Sequence, residues 1–279
     1  MINFYSYWLG NEEQKKKIEE YFSRIEKLNK NIKFHLGPTK EEHEYLLEKF
    51  KFYSMNFKRK KFAFCSDIWR LYKMLVLGNN ENQEKNIYID SKTLFNEERL
   101  NELVSLIENN NNILIKEKPH RIWNGFIYLS NKNKNILYDS LNFYYFFPHL
   151  TNYSIFIAPS IMSIFLWKSK KENIKNIFFF DARNIDPLND NSILKYNGFA
   201  SWRAPNRKKD LADTKNGANF FHNQAIKFEE NKWTKTGTYW KKWYWDKFCI
   251  IFFPYIWIKL KSRKKLEIET SYFLTKKEK

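Results

Sequence analysis

Ser66-Asp67-Ile68-Trp69-Arg70-Leu71-Tyr72, followed by Asn86-Ile87-Tyr88-Ile89-Asp90-Ser91-Lys92, is the most informative stretch of this chain. Ser66 reads as the N-cap of a helix running to about Leu77: its hydroxyl can accept from an exposed N–H, and Asp67 in the first turn suits the helix dipole. Ile68, Leu71, Tyr72 and Leu75 form an apolar stripe. Asp67 and Arg70 lie three residues apart, so they share one helix face. Asn79 to Lys85 is a polar loop. Ile87-Tyr88-Ile89 is a short buried strand, and Asp90 closes it. A carboxylate at the carboxyl end of such a strand sits where open α/β sheets bind ligands.

The flanking sequence extends this pattern. Ile2 to Trp8 is strand-like and closed by Gly10. Glu12 to Leu28 has helical apolar spacing at Ile18, Tyr21, Phe22, Ile25 and Leu28. Asn31 to Leu36 reads as a second strand. Thr39, with Glu42 three residues on, predicts a capped helix running through Phe50. The order β-α-β-α predicts an α/β sheet. Downstream, a helix from Asn96 to Ile107 and a strand from Ile113 to Ile115 are expected. A strand from Arg121 to Leu129, a helix from Ser160 to Trp167 and a strand from Asn176 to Phe180, ending at Asp181, follow. After about Pro205 the texture changes to lysine-rich loops and dense aromatics, among them Trp233, Trp240, Trp243 and Trp245. Residues 1–205 therefore read as one domain and 206–279 as a basic aromatic C-terminal extension.

A chain of 279 residues can bury one large core, and its 43% hydrophobic and 19% aromatic content excludes a disordered polymer. Seven glycines and seven prolines are too few for a turn-rich all-β protein. Cys65 and Cys249 make neither a disulfide framework nor a cysteine zinc site, which points to a reducing compartment. The five histidines show no ligand spacing, and no glycine-rich nucleotide fingerprint is present. Neither a secretory signal nor a membrane span is expected. The net charge is +18, of which residues 206–279 carry +10. That excess implies an anionic partner: nucleic acid, a lipid headgroup surface or a phosphorylated substrate.

The helix and strand around Asp67, Arg70 and Asp90 resemble the donor-site core of the glycosyltransferase family described as the sugar-binding region containing a DXD motif. Ile2 to Gly10 resembles the family's first strand. Arg121-Ile122-Trp123-Asn124-Gly125-Phe126 resembles a downstream segment, Ala158-Pro159-Ser160 a turn before a helix, and Ala200-Ser201-Trp202 the closing element. The resemblance covers roughly residues 1–205 and implies a GT-A-like single-domain nucleotide-sugar-binding fold. It implies that Asp67 and Arg70 contact donor sugar and phosphate, and that Trp8 stands near the base. Asn124, Ser201 and Trp202 complete the donor site, with the last two near the diphosphate. Asp90 matches the first acid of the motif, the expected holder of Mn²⁺ or Mg²⁺ or of the ribose. Where the family has its second acid, this chain has Lys92.

Lys92 is the consequential departure. It removes a metal ligand and adds a cation. An ammonium about 4 Å from a phosphate oxygen is worth on the order of 4 kcal/mol at a surface-like effective dielectric. Two outcomes stay open: metal held through Asp90 alone, or Lys92 standing in for it. The resemblance implies a retaining transfer to a bacterial surface glycan or lipid-linked precursor, in the cytoplasm. Phe248 to Ile258, interrupted by Pro254 and flanked by Lys247, Lys259 and Lys261, suits headgroup depth. It suggests peripheral attachment to the inner face of the cytoplasmic membrane, with core packing as the alternative. Two rival readings remain: a non-catalytic relative serving as an assembly partner, and a basic nucleic-acid-binding protein. No binding motif supports the second, so nucleic acid is not the expected partner.

Overall fold

The near-continuous apolar run Ile2–Tyr7 forms β1, buried on both faces as a central parallel strand must be. The computed structural model to which it belongs describes residues 1–79, 84–118, 121–146, 158–168, 177–181 and 193–196. β1 pairs in parallel with β2 (Ile32–Gly37) on one side and β3 (Lys85–Ile89) on the other. β6 (Arg121–Tyr128) runs antiparallel to β3, and β5 (Ile113–Lys118) antiparallel to β6. β7 (Phe178–Asp181) adds in parallel to β5. The result is an open mixed sheet in the order β2-β1-β3-β6-β5-β7. A separate antiparallel pair joins β4 (Thr93–Phe95) to β8 (Leu194–Tyr196). The chain is α/β.

Strand alternation assigns the two faces. Ile2 and Phe4 face one core, with Ile25 of α1 (Glu12–Leu28) and Leu103, Val104 and Ile107 of α5 (Leu100–Asn109). Tyr7 faces the other core. There it meets residues of α2 (Lys40–Lys49), α3 (Lys51–Lys58), α4 (Phe62–Leu77), α6 (Asn135–Phe146) and α7 (Ala158–Lys168). Trp69 anchors this second core. Its Nε1 donates to Glu42 Oε2 at 2.8 Å. A Cβ on Gly37 would lie 2.4 Å from the Trp69 ring, so glycine is what lets the end of β2 approach the indole.

Glu42 is buried and also closes the predicted capping box with Thr39. The first helix and the first two strands follow the sequence expectation closely. Others do not. α4 begins at Phe62, so Ser66 is no cap: it lies inside the helix and its hydroxyl donates back to Ala63 O at 2.7 Å. The predicted helix through Phe50 breaks there, and α3 follows at once. Asn96 does cap, but it caps a 3₁₀ turn, Glu97–Arg99, that leads into α5. β5 extends to Lys118, past the expected end at Ile115, and α7 begins at Ala158, ahead of Ser160. The expectation missed α6, whose sequence is apolar on most sides and so carries little period. Among the described residues no helix is long and apolar enough to cross a membrane. The extension 206–279, with Phe248 to Ile258, lies outside the described residues.

Candidate functional site

β1, β2, β3, β5 and β7 all point the same way, so their carboxyl ends share one edge of the sheet. Asp90 follows β3 at that edge. Its backbone N–H donates to Gly125 O of β6 at 2.8 Å, and its carbonyl accepts from Thr93 N at 2.9 Å, closing a turn. α4 lies across this face with its N-terminal half at the same edge. Two residues of that half, Asp67 and Arg70, are buried there.

Arg70 is the hub. Its Nη1 lies 3.2 Å from Asp90 Oδ1 and its Nη2 3.3 Å from Asp67 Oδ1. The helix face and the strand end therefore converge, as the i, i+3 spacing and the strand-end acid predict. Nε also donates to Ser66 O at 3.1 Å, Nη2 to Ser66 Oγ at 2.6 Å and Nη1 to Asn124 O at 2.9 Å. A guanidinium has five N–H groups. Three of its contacts here are hydrogen bonds, and the two carboxylates add ion pairs. Asp67 is equally occupied: Oδ1 accepts from Asn124 Nδ2 at 3.2 Å and Oδ2 from Ala158 N at 3.4 Å. The sequence expectation gave both residues direct contacts to donor sugar and phosphate. In this structure they hold each other and Asp90.

Asn124 belongs to the same group, and it does so from within β6 rather than from a turn. The next residue, Gly125, lets the Trp123 ring fold over it: a Cβ there would lie 2.1 Å from that ring. One member went unread in the sequence. Tyr88 is buried, its hydroxyl donates to Asp90 Oδ1 at 2.6 Å, and the Arg70 guanidinium sits 4.6 Å above its ring. The period of two along β3 puts Tyr88 and Asp90 on one face, and that was the available signal.

These contacts fix which atom faces outward. Asp90 Oδ1 is shared by Tyr88 and Arg70; Oδ2 has no protein partner among the described residues. The Asp90 side chain keeps 21% of its exposure. Lys92 is exposed in the same turn. Protein around its stem pulls its ammonium below the ordinary lysine value, and Asp90 pulls it back up. Burial pushes the Asp67 carboxyl up to about 6, against the opposing pull of Arg70, the Ala158 N–H and Asn124. The edge thus offers one open carboxylate oxygen and one exposed ammonium. This set fits a divalent cation poorly. Asp67 is fully engaged, Asp90 has a single oxygen to give, and the neighbouring charges are a guanidinium and an ammonium. Among the described residues no three acids, histidines or cysteines group as a metal site.

The other expected residues divide. Trp8 leaves β1 at the same edge, its N–H bonded to Gly37 O at 2.8 Å and its indole Nε1 to Asn11 O at 3.2 Å. Its half-buried ring lies against Gly10 and makes no hydrogen bond to the charged group. Ser201 and Trp202 lie outside the described residues. No protein-family model, curated protein or solved structure matches this chain.

Proposed function

We propose that this chain is a retaining glycosyltransferase of GT-A-like architecture. It moves a sugar from a nucleotide-sugar donor, UDP-sugars first among them, to a bacterial surface glycan or its lipid-linked precursor. The observation that carries the reading is the convergence of Asp67, Arg70 and Asp90 at the carboxyl edge of the sheet. A buried guanidinium and two acids are costly to assemble, and such groups collect where an edge must bind something polar.

The open Asp90 oxygen suits a hydroxyl donor such as the ribose. Lys92, two residues on, suits the diphosphate. Charge grows on that diphosphate as the sugar leaves, and a fixed cation stabilises the transition state more than the ground state. In this reading Lys92 supplies the positive charge that a second motif acid would otherwise recruit as Mn²⁺ or Mg²⁺. Arg70, Asp67, Asn124 and Tyr88 are positioning residues behind Asp90. Trp8 supports the base from the same edge, and Ser201 and Trp202 are assigned to the diphosphate by the family resemblance alone. Residues 1–205 form the transferase domain. The extension 206–279 attaches it peripherally to the cytoplasmic face of the membrane.

A thermal-shift screen of the full chain against nucleotide sugars tests this. A UDP-sugar is expected to raise the melting temperature as much with chelator as with Mn²⁺. A shift that appears only with Mn²⁺ would assign the cation to a metal and not to Lys92. No shift with any nucleotide sugar would remove the transferase reading.

A further inference from the structure

α3 ends at Lys58 and α4 begins at Phe62, so the turn between them consists of Arg59, Lys60 and Lys61. With Lys58 these are four consecutive cations. The turn has a defined shape. Lys61 N donates to Asn56 O and Lys60 N to Phe57 O, both at 2.8 Å, which is the Schellman closure of a helix. Lys60 takes the left-handed position of that motif, with φ of 55°. Glycine fills that position without strain. Here a lysine does, and it is exposed along with Lys58 and Arg59.

The flanking sequence is as one-sided as the turn. From Lys49 to Ser66 there are six basic residues and no carboxylate. Half-buried aromatics flank the cations: the Phe57 and Phe62 rings lie 6.0 Å apart, and Lys61 Nζ sits 5.6 Å from the Phe64 ring centre. The turn also has a place relative to the site. It precedes the N-terminal half of α4, the half that brings Asp67 and Arg70 to the carboxyl edge. Lys61 is six residues before Asp67, about 9 Å along the helix.

We propose that the α3–α4 turn docks on an anionic phospholipid bilayer and holds the Asp90 edge against it. Cations beside half-buried aromatic rings are the residue types that settle at headgroup depth. A polynucleotide fits less well: Phe57 packs against both Phe62 and His43 rather than standing out as a stacking platform. This contact is separate from the 206–279 extension and does not depend on the transfer chemistry. Its failure leaves the donor reading untouched, and the reverse holds as well.

The test is vesicle flotation of the full chain, using phosphatidylcholine with and without phosphatidylglycerol. The wild type should float only with the anionic lipid, and less at high salt. Each cation close to an anionic leaflet strengthens partitioning about fivefold. Lys58→Gln, Arg59→Gln, Lys60→Gly and Lys61→Gln together should therefore weaken it by at least about tenfold. The milder Lys58→Gln, Lys60→Gly variant changes two exposed side chains and relaxes the left-handed position. It should lose at least about fivefold. A control removes the same four charges from the opposite edge of the sheet, as Lys27, Lys30, Lys33 and Lys134 to Gln. All four are exposed, and this control should lose less than about threefold. Equal losses in the turn and control variants would overturn the proposal, as would a wild type that binds polynucleotide and does not float.

Discussion

Arg70→Met should cost at least about 3 kcal/mol of folding stability, seen as a lower denaturant midpoint with an unchanged slope. The reason is what it leaves behind. Arg70 satisfies the Ser66 carbonyl, the Ser66 hydroxyl, the Asn124 carbonyl, Asp67 and Asp90. Without it, two carboxylates stay in the protein with no cation between them, and breaking a buried ion pair from one side typically costs about 3–5 kcal/mol. Arg70→Lys should recover little, because an ammonium has three donors and no fork to span acceptors on both α4 and β6. Arg70→Met combined with Asp67→Asn should recover a measurable part, since the second change removes one stranded charge. If Arg70→Lys folds as stably as the wild type, the guanidinium fork is not what joins α4 to β6 and Asp90, and this account of the side chain is wrong.

Asp67 gives the second large effect, and it is a pH effect. Burial raises its carboxyl to about 6 in the folded chain, whereas an unfolded aspartate sits near 3.9. The folded state therefore binds the extra proton. The associated stability is full below about pH 4 and is lost as pH rises through about 6. Two pKa units correspond to on the order of 3 kcal/mol. Asp139, raised to about 6 by burial, acts in the same direction. His43, lowered by burial, acts in the opposite one. The difference between wild type and Asp67→Asn cancels both. That difference should shift against the wild type by about 2 kcal/mol between pH 4.5 and pH 7.5, followed by urea titration at each pH. A flat difference would mean that Asp67 has an ordinary carboxyl.

The sequence made the outline of this site readable, and the reason is periodicity. An i, i+3 pair on a helix and an acid closing a period-two strand have fixed directions, so Asp67, Arg70 and Asp90 were predictable as neighbours. What the sequence cannot show is stoichiometry. It lists Arg70 and its neighbours without showing that three hydrogen bonds and two ion pairs converge on one guanidinium. Ser66 illustrates the same limit: it has a cap residue's chemistry, but the four apolar or small residues before it, Phe62 to Cys65, already belong to the helix, and it becomes a partner of Arg70. α6 was hidden because Ile136, Leu137, Leu141, Phe143 and Tyr144 are buried on several sides, erasing the polar face that marks a surface helix. The α3–α4 turn was passed over as well. Four consecutive cations carry no direction until the fold sets them just ahead of Asp67 and Arg70 on α4.

Calorimetric titration of the wild type and of Asp90→Asn with the UDP-sugar that gives the largest thermal shift, in chelator, addresses the central claim. Asn keeps the side chain's shape and its Oδ1 acceptor but gives up the open carboxylate oxygen. The wild type is expected to bind, and Asp90→Asn to bind at least about tenfold more weakly while retaining its fold, as loss of one charge-assisted hydrogen bond requires. Equal affinity in the two proteins would contradict the claim that the brace around Arg70 exists to present Asp90 to an activated sugar.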